Sequence, residues 1–177
     1  MTDITKIDRE HMGKALALAE EALFRGEFPV GCVVVKDGTV IASGARTGSI
    51  GPDANELDHA EIVALRSLAA SGSPPSLGDA TIYCTMEPCL MCFGAIVLAG
   101  IRRIVYAYED VMGGGASVDL QRLRPLYRDS ETKIVAGVRR TEGLALFRRF
   151  FEDPRHVYWQ GSLLAQYTLE QRPGTER

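Results

Sequence analysis

Strand-like and helix-like segments alternate along this chain, and the order of alternation leaves few folds open. Val30 to Val35 and Thr39 to Ser43 are runs rich in β-branched residues, separated by Lys36-Asp37-Gly38. Asp-Gly supplies the positive φ angles of a tight hairpin, so these two strands are antiparallel. Three further strand-like runs follow, Ala80 to Thr85, Arg102 to Tyr108 and Lys133 to Val138, with helical segments between them. Strands joined by helical crossovers pair in parallel. The expected architecture is α/β, a mixed sheet of about five strands with helices on both faces.

The helices are read from period and punctuation. Met12, Ala15, Leu16, Ala19 and Leu23 mark one apolar stripe between Asp8, taken as its cap, and Gly26. Arg46 to Leu57 is polar, holds Gly48, Gly51 and Pro52, and reads as a loop long enough to carry function. A second helix starts with Asp58 as N-cap and carries Ile62, Leu65, Leu68 and Ala69, closed by Ser71-Gly72 and the breaker Ser73-Pro74-Pro75. Cys89 to Leu98 is apolar and too rich in Ala, Leu and Met for a strand, so a buried helix is expected after Pro88. Shorter helical stretches fall at about Leu120 to Leu126, Glu142 to Phe151 and Gly161 to Gln171.

At 177 residues and 46% hydrophobic side chains the chain fits one domain with an ordinary core. Its net charge is −3, against binding nucleic acid through phosphate neutralisation alone. The first 100 residues carry 7 basic and 13 acidic groups, the rest 13 and 10, so any polyanion contact belongs to the second half. There is no apolar run of membrane-spanning length and no signal pattern at the N-terminus, so a cytoplasmic protein with no membrane partner is expected. Four cysteines, Cys32, Cys84, Cys89 and Cys92, are too few to staple a chain of this size.

Two clusters concentrate the chemistry. His59-Ala60-Glu61 opens one helix, and Pro88-Cys89-Leu90-Met91-Cys92 opens another. Helix N-termini favour thiolate over thiol, and Cys89 and Cys92 at i, i+3 can turn toward one ion. One imidazole and two thiolates leave a fourth position of a zinc ion for water, which such an ion makes acidic enough to act as a nucleophile. Glu61 leaves the helix at a different angle from His59, which suits a proton carrier rather than a ligand. Cys84 offers an alternative, a closed structural site of one histidine and three cysteines, and a redox dithiol is the other competitor.

The composite of His59-x-Glu61 with Pro88-Cys89-x-x-Cys92 resembles the zinc-dependent cytidine deaminase-like superfamily. Phe28-Pro29-Val30-Gly31, Thr85-Met86-Glu87-Pro88-Cys89, Gly94-Ala95 and Ile101-Arg102-Arg103-Ile104-Val105-Tyr106 are similar to the branch of tRNA adenosine deaminases, guanine deaminases and fungal cytosine deaminase. The resemblance implies a three-layer α/β/α sandwich and a single deaminase domain over 1–177, with its core at about 8–152 and a C-terminal helical extension at 153–177. It also implies Zn2+ held by His59, Cys89 and Cys92, Glu61 as catalytic acid and base, and a homodimer, with the Phe93 to Val97 helix at the interface or in the core.

Substrate-binding candidates are Phe28, Val30, Arg46, Asn55, Pro88, Tyr108, Asp110 and Trp159. The branch often has an asparagine after the second strand, where this chain has Ser43-Gly44-Ala45-Arg46-Thr47; Asn55 is the nearest substitute. Asp110 fits the tRNA-deaminase pattern, but Tyr108 replaces a small residue and Glu109 a basic one, which makes the expected pocket mouth bulkier and more acidic. A free base, nucleoside or related amino-heterocycle therefore ranks first as substrate. Wobble-adenosine editing of tRNA is the alternative, and a non-catalytic zinc-stabilised module is the third reading. Among the remaining residues, Cys32 is read as core and His11 as a surface histidine. His156, Tyr158 and Trp159 are read as a packing patch, Gly113-Gly114-Gly115 as a flexible turn, and Arg139-Arg140 and Arg148-Arg149 as solvated charge.

Overall fold

A computed structural model describes residues 4–52, 54–72 and 76–171. The elements run α1 (Lys6–Phe24), β1 (Gly31–Lys36), β2 (Thr39–Ala45), α2 (Ala60–Ala70), β3 (Thr81–Met86), α3 (Leu90–Leu98), β4 (Arg103–Tyr108), α4 (Pro125–Arg128), β5 (Lys133–Val135), α5 (Arg140–Glu152) and α6 (Leu163–Glu170), with a 3₁₀ turn at Leu120–Arg122. The strands form one mixed sheet in the order β2-β1-β3-β4-β5. β1 is antiparallel to β2 and β3, whereas β3, β4 and β5 are parallel. Asp37 and Gly38 close the hairpin with φ of 49° and 73°.

Two glycines set how closely the helices approach the sheet. A Cβ on Gly31 would lie 2.3 Å from the Ala15 carbonyl oxygen of α1, and one on Gly44 would lie 2.2 Å from that of Ala60 in α2. Gly44 pairs with Cys32, the residue after Gly31, so alternation along β1 puts α1 and α2 on opposite faces. α5 packs beside α1 on β4, and α3 sits beside α2. Covered on both faces, β1 and β3 are buried almost continuously instead of alternately. No helix among the described residues is long and apolar enough to cross a membrane.

Several local expectations are corrected by the packing. Thr5, not Asp8, caps α1: its side chain accepts the Asp8 N–H while the Asp8 carboxylate accepts the Thr5 N–H. Asp8 is 1% exposed and also takes the Arg103 guanidinium at 2.7 and 3.1 Å and the Tyr83 hydroxyl at 3.0 Å. Burial pushes its pKa up, but these donors prevail and hold it at about 2. The N-cap of α2 is His59 instead of Asp58, which binds Asn55 and Arg66. The buried side of α2 is Ala60, Glu61, Ala64 and Leu68, so the helix is turned away from the stripe its larger apolar residues mark.

α3 is only half buried: Cys92, Phe93, Ile96 and Val97 face inward while Leu90 and Leu98 are exposed. The stretch read as one helix near Leu120 divides into the 3₁₀ turn and α4, and the last strand stops at Val135. His11 is buried against Tyr83, not on the surface. Of the two arginine pairs, Arg140 is buried, forks onto Glu109 and donates to Gln171 Oε1 at 3.2 Å, and Arg148 donates to the Gln171 carbonyl at 2.6 Å, so both hold Gln171. The Ser73-Pro74-Pro75 breaker lies outside the described residues.

Candidate active site

The two clusters meet at the ends of two helices. His59 is the N-cap of α2 and Cys89 the N-cap of α3, both with extended backbone, and each carbonyl receives the first bond of its helix. Gly44 is what permits this, because the first turn of α2 rests directly on it. Cys92, three residues into α3, folds back over Cys89.

His59 Nδ1 lies 3.6 Å from Cys89 Sγ and 3.5 Å from Cys92 Sγ. Tetrahedral zinc with ordinary Zn–S and Zn–N lengths separates sulfur from nitrogen by about 3.6 Å, so this donor set fits the ion in kind and in spacing. Cys84 is fully buried beside Cys32 and outside the group, so the closed four-ligand site does not form. Hydrogen bonding from Cys92 is the largest influence on Cys89 and, with His59, brings its pKa to about 4 against the opposing effect of burial. The bond between His59 and Cys89 raises His59, and the separate bond between Cys92 and Cys89, with burial, raises Cys92. Glu61 is 3% exposed, and burial pushes its carboxyl up.

A cleft opens onto these residues. Its walls include Phe28, Val30, Arg46, Asp110 and Trp159 of the substrate-binding candidates. Three others lie elsewhere. Asn55 Oδ1 accepts the N–H groups of Leu57 and Asp58, shaping the loop before α2. Pro88 is buried, and its carbonyl accepts the Gly115 N–H. Tyr108 is buried away from the cleft, stacked on Phe147 and bonded to Thr168.

Glu109 also points away. Its carboxylate binds Arg140 and accepts the Tyr167 hydroxyl at 2.6 Å, and the bonds from Arg140 and Tyr167 hold its pKa low although burial opposes them. Neither Tyr108 nor Glu109 therefore makes the mouth bulkier or more acidic. The glycine run is no flexible turn. Gly114 forms a bridge with Cys89, and a Cβ on Gly115 would come within 2.8 Å of the Leu90 backbone. Glu87 clamps the same loop by accepting the N–H groups of Asp110 and Ala116.

Glu87, Met86, Gly113 and Tyr158 also line the cleft, although none is among the substrate-binding candidates. Adjacency was the available signal: Glu87 precedes Pro88-Cys89, and Tyr158 precedes Trp159. His156 does pack, stacked on Phe150 at 4.3 Å, but Tyr158 and Trp159 face the cleft.

Residues 5–108 match the family described as the cytidine and deoxycytidylate deaminase zinc-binding region. A tRNA-specific adenosine deaminase of Streptococcus pyogenes is 33% identical over 144 residues, 81% of this chain and 89% of that protein. A tRNA(Ile)-lysidine synthase of Deinococcus radiodurans is 40% identical over 147 residues, but the chain spans only 24% of its length. A structure from a study of A-to-I editing by tRNA:A34 deaminases at the wobble position of transfer RNA superimposes with a TM-score of 0.60 at 32% identity, over 77% of this chain and 99% of that one. A guanine deaminase from Nitrosomonas europaea gives a TM-score of 0.64 at 23% identity, over 80% and 83% of the two chains, a likeness of fold.

Proposed function

The chain belongs to the cytidine and deoxycytidylate deaminase zinc-binding family and is a zinc-dependent deaminase of nucleobase-type amines; on that premise we propose that it converts the wobble adenosine of a tRNA anticodon loop to inosine. The carrying observation is the 33% identity to a tRNA-specific adenosine deaminase across 89% of that protein. This reverses the order expected from the sequence, which put a free base or nucleoside first. That order rested partly on Tyr108 and Glu109, and both are turned from the cleft, Glu109 with its charge met by Arg140. Family membership also sets aside the non-catalytic module.

In this reading His59, Cys89 and Cys92 hold the zinc, which supplies an acidified water as nucleophile. Phe28, Val30 and Trp159 offer apolar surface to a base turned out of its stack. Glu61 accepts a proton from the attacking water and delivers it to the ring nitrogen, then passes the next to the departing nitrogen. Water adds at the amine-bearing carbon, the C–N bond breaks, ammonia leaves, and a carbonyl remains. Burial raises the Glu61 carboxyl, which suits a group that must hold a proton between steps. Asp110 Oδ1 accepts the N–H groups of Met112 and Gly113 and so shapes the rim.

The reaction belongs in the cytoplasm with its tRNA, and the exposed Leu90 and Leu98 of α3 are assigned to a contact between two copies of the chain. A free purine base is the second reading, favoured by the Tyr158–Trp159 stack at the edge of the cleft. The test is ammonia release and inosine formation by the zinc-loaded protein on an anticodon stem-loop, adenosine and guanine. Turnover of the stem-loop is expected, and turnover of a free base alone overturns the proposal.

A further inference from the structure

The C-terminal wall of the cleft packs on Phe28, with Tyr158 and Trp159 centroids 5.3 and 6.2 Å away, and a carboxylate fastens it to the loop that leads into α2. Glu56 Oε2 accepts the Tyr158 hydroxyl at 2.8 Å and Arg46 Nη2 at 3.4 Å. Arg46 is 2% exposed and also donates to the carbonyls of Thr47 and Asn55, each at 2.7 Å, so it braces the loop that leads into α2. Its Cζ lies 5.7 Å from the centre of the Tyr158 ring. Tyr158 stacks on Trp159 with centroids 5.2 Å apart and planes 11° from parallel. Trp159 has φ of 56°, a left-handed conformation that a bulky residue seldom adopts unless its surroundings impose it.

We propose that Arg46 and Glu56 are positioning residues that latch the Tyr158–Trp159 pair across the cleft, and that this latch sets the size of substrate the cleft admits. The inference rests on the deaminase reading of that cleft. The two halves of the latch differ in kind. Arg46 is buried and bonded to two backbone carbonyls, so it stays in place. Glu56 is 63% exposed, so its bond to Tyr158 competes with water and opens readily. Closed, the aromatic pair encloses a single base. Released, it leaves room for the nucleotides that flank a base on a polynucleotide.

Trp159 is the single tryptophan of the chain, so its fluorescence reports the wall directly and without turnover. The experiment compares zinc-loaded wild type with Tyr158→Phe, Glu56→Ala and Glu56→Gln by acrylamide quenching, then by kinetics on adenosine and on an anticodon stem-loop. Tyr158→Phe and Glu56→Ala are expected to raise the quenching constant about two-fold, and Tyr158→Phe, which leaves the Glu56 carboxylate 3.8 Å from His59 in place, to raise KM for adenosine about three- to ten-fold with kcat little changed, the population shift that loss of one exposed hydrogen bond produces. KM for the stem-loop is expected to hold or fall. Glu56→Gln keeps an acceptor for the Tyr158 hydroxyl and is expected to restore both readings, and Tyr158→Phe combined with Glu56→Ala to add nothing to either alone. Equal quenching in all the proteins overturns the latch, and raised quenching with unchanged KM overturns its part in substrate size. If wild type turns over neither substrate, the deaminase reading fails while the quenching comparison still decides the latch.

Discussion

Glu61 sits in the first turn of α2, where the helix N-terminus favours an anion, yet it is 3% exposed and burial raises its carboxyl. A group drawn both ways changes protonation readily, which is what a proton carrier needs. Glu61→Gln keeps the shape and polarity but cannot carry a proton. It is expected to retain the full zinc content and to lose about 10²- to 10⁴-fold in deamination rate. Metal analysis beside ammonia release checks this, and undiminished turnover would remove Glu61 from the mechanism. The clustering of His59, Cys89 and Cys92 beside Glu61 was legible because each cluster lies within one helical turn. Glu56 and Tyr158 were not, because 102 residues separate them and no local pattern joins an exposed loop carboxylate to a distant tyrosine.

At the scale of elements, the sequence disclosed strands and their pairing sense through β-branched runs, the Asp-Gly turn and the crossovers. It did not disclose the rotation of α2. Ile62 and Leu65 mark one stripe, but a helix lying on a bare glycine buries its smallest side, Ala60 and Ala64. Gly44→Ala should therefore force α2 outward, cost about 1–3 kcal/mol in overpacking, and loosen the zinc because His59 caps that helix. Gly38→Ala is the control: no atom lies within 4 Å of its added Cβ, so only the left-handed φ of 73° is penalised. It should cost about 1 kcal/mol and leave zinc retention alone. Thermal melts with metal content after chelator dialysis separate the two, and equal zinc loss in both variants would break the link between Gly44 and the site.

Asp8 joins three elements, α1 by its capping box and β3 and β4 through Tyr83 and Arg103. Its carboxyl is held at about 2 against an ordinary 3.8, so folding favours the charged form. That contribution is complete above pH 4 and disappears as the pH falls through about 2; its size is about 2 kcal/mol. Asp8→Asn should lose it at neutral pH and flatten the stability profile between pH 4 and 2. Urea midpoints across that range are the measurement, and an unchanged profile would mean that other carboxylates govern acid unfolding.

For the whole molecule, charge would separate a polynucleotide substrate from a free nucleoside. The net charge of −3 hides an excess of basic groups after residue 100, and part of it lies along the surface beyond the loop that Gly114 and Gly115 fasten to α3. There Arg122, Arg124 and Arg128 are all exposed; Arg122 pairs with Asp119 and Arg128 with Asp129, while Arg124 makes no ion pair among the described residues. A polynucleotide substrate held there releases counterions when it binds, and a neutral nucleoside does not. For the anticodon stem-loop, kcat/KM should fall with salt on a log–log slope of about −0.7 for each phosphate neutralised, while kcat/KM for adenosine stays nearly flat. Arg124→Ala should make the stem-loop slope shallower by about 0.7 and leave the adenosine profile as it was. A stem-loop slope that Arg124→Ala does not change would move the phosphate contacts to another surface. A flat stem-loop profile in the unaltered protein would show that charge takes no part in choosing the substrate, leaving pocket shape to discriminate.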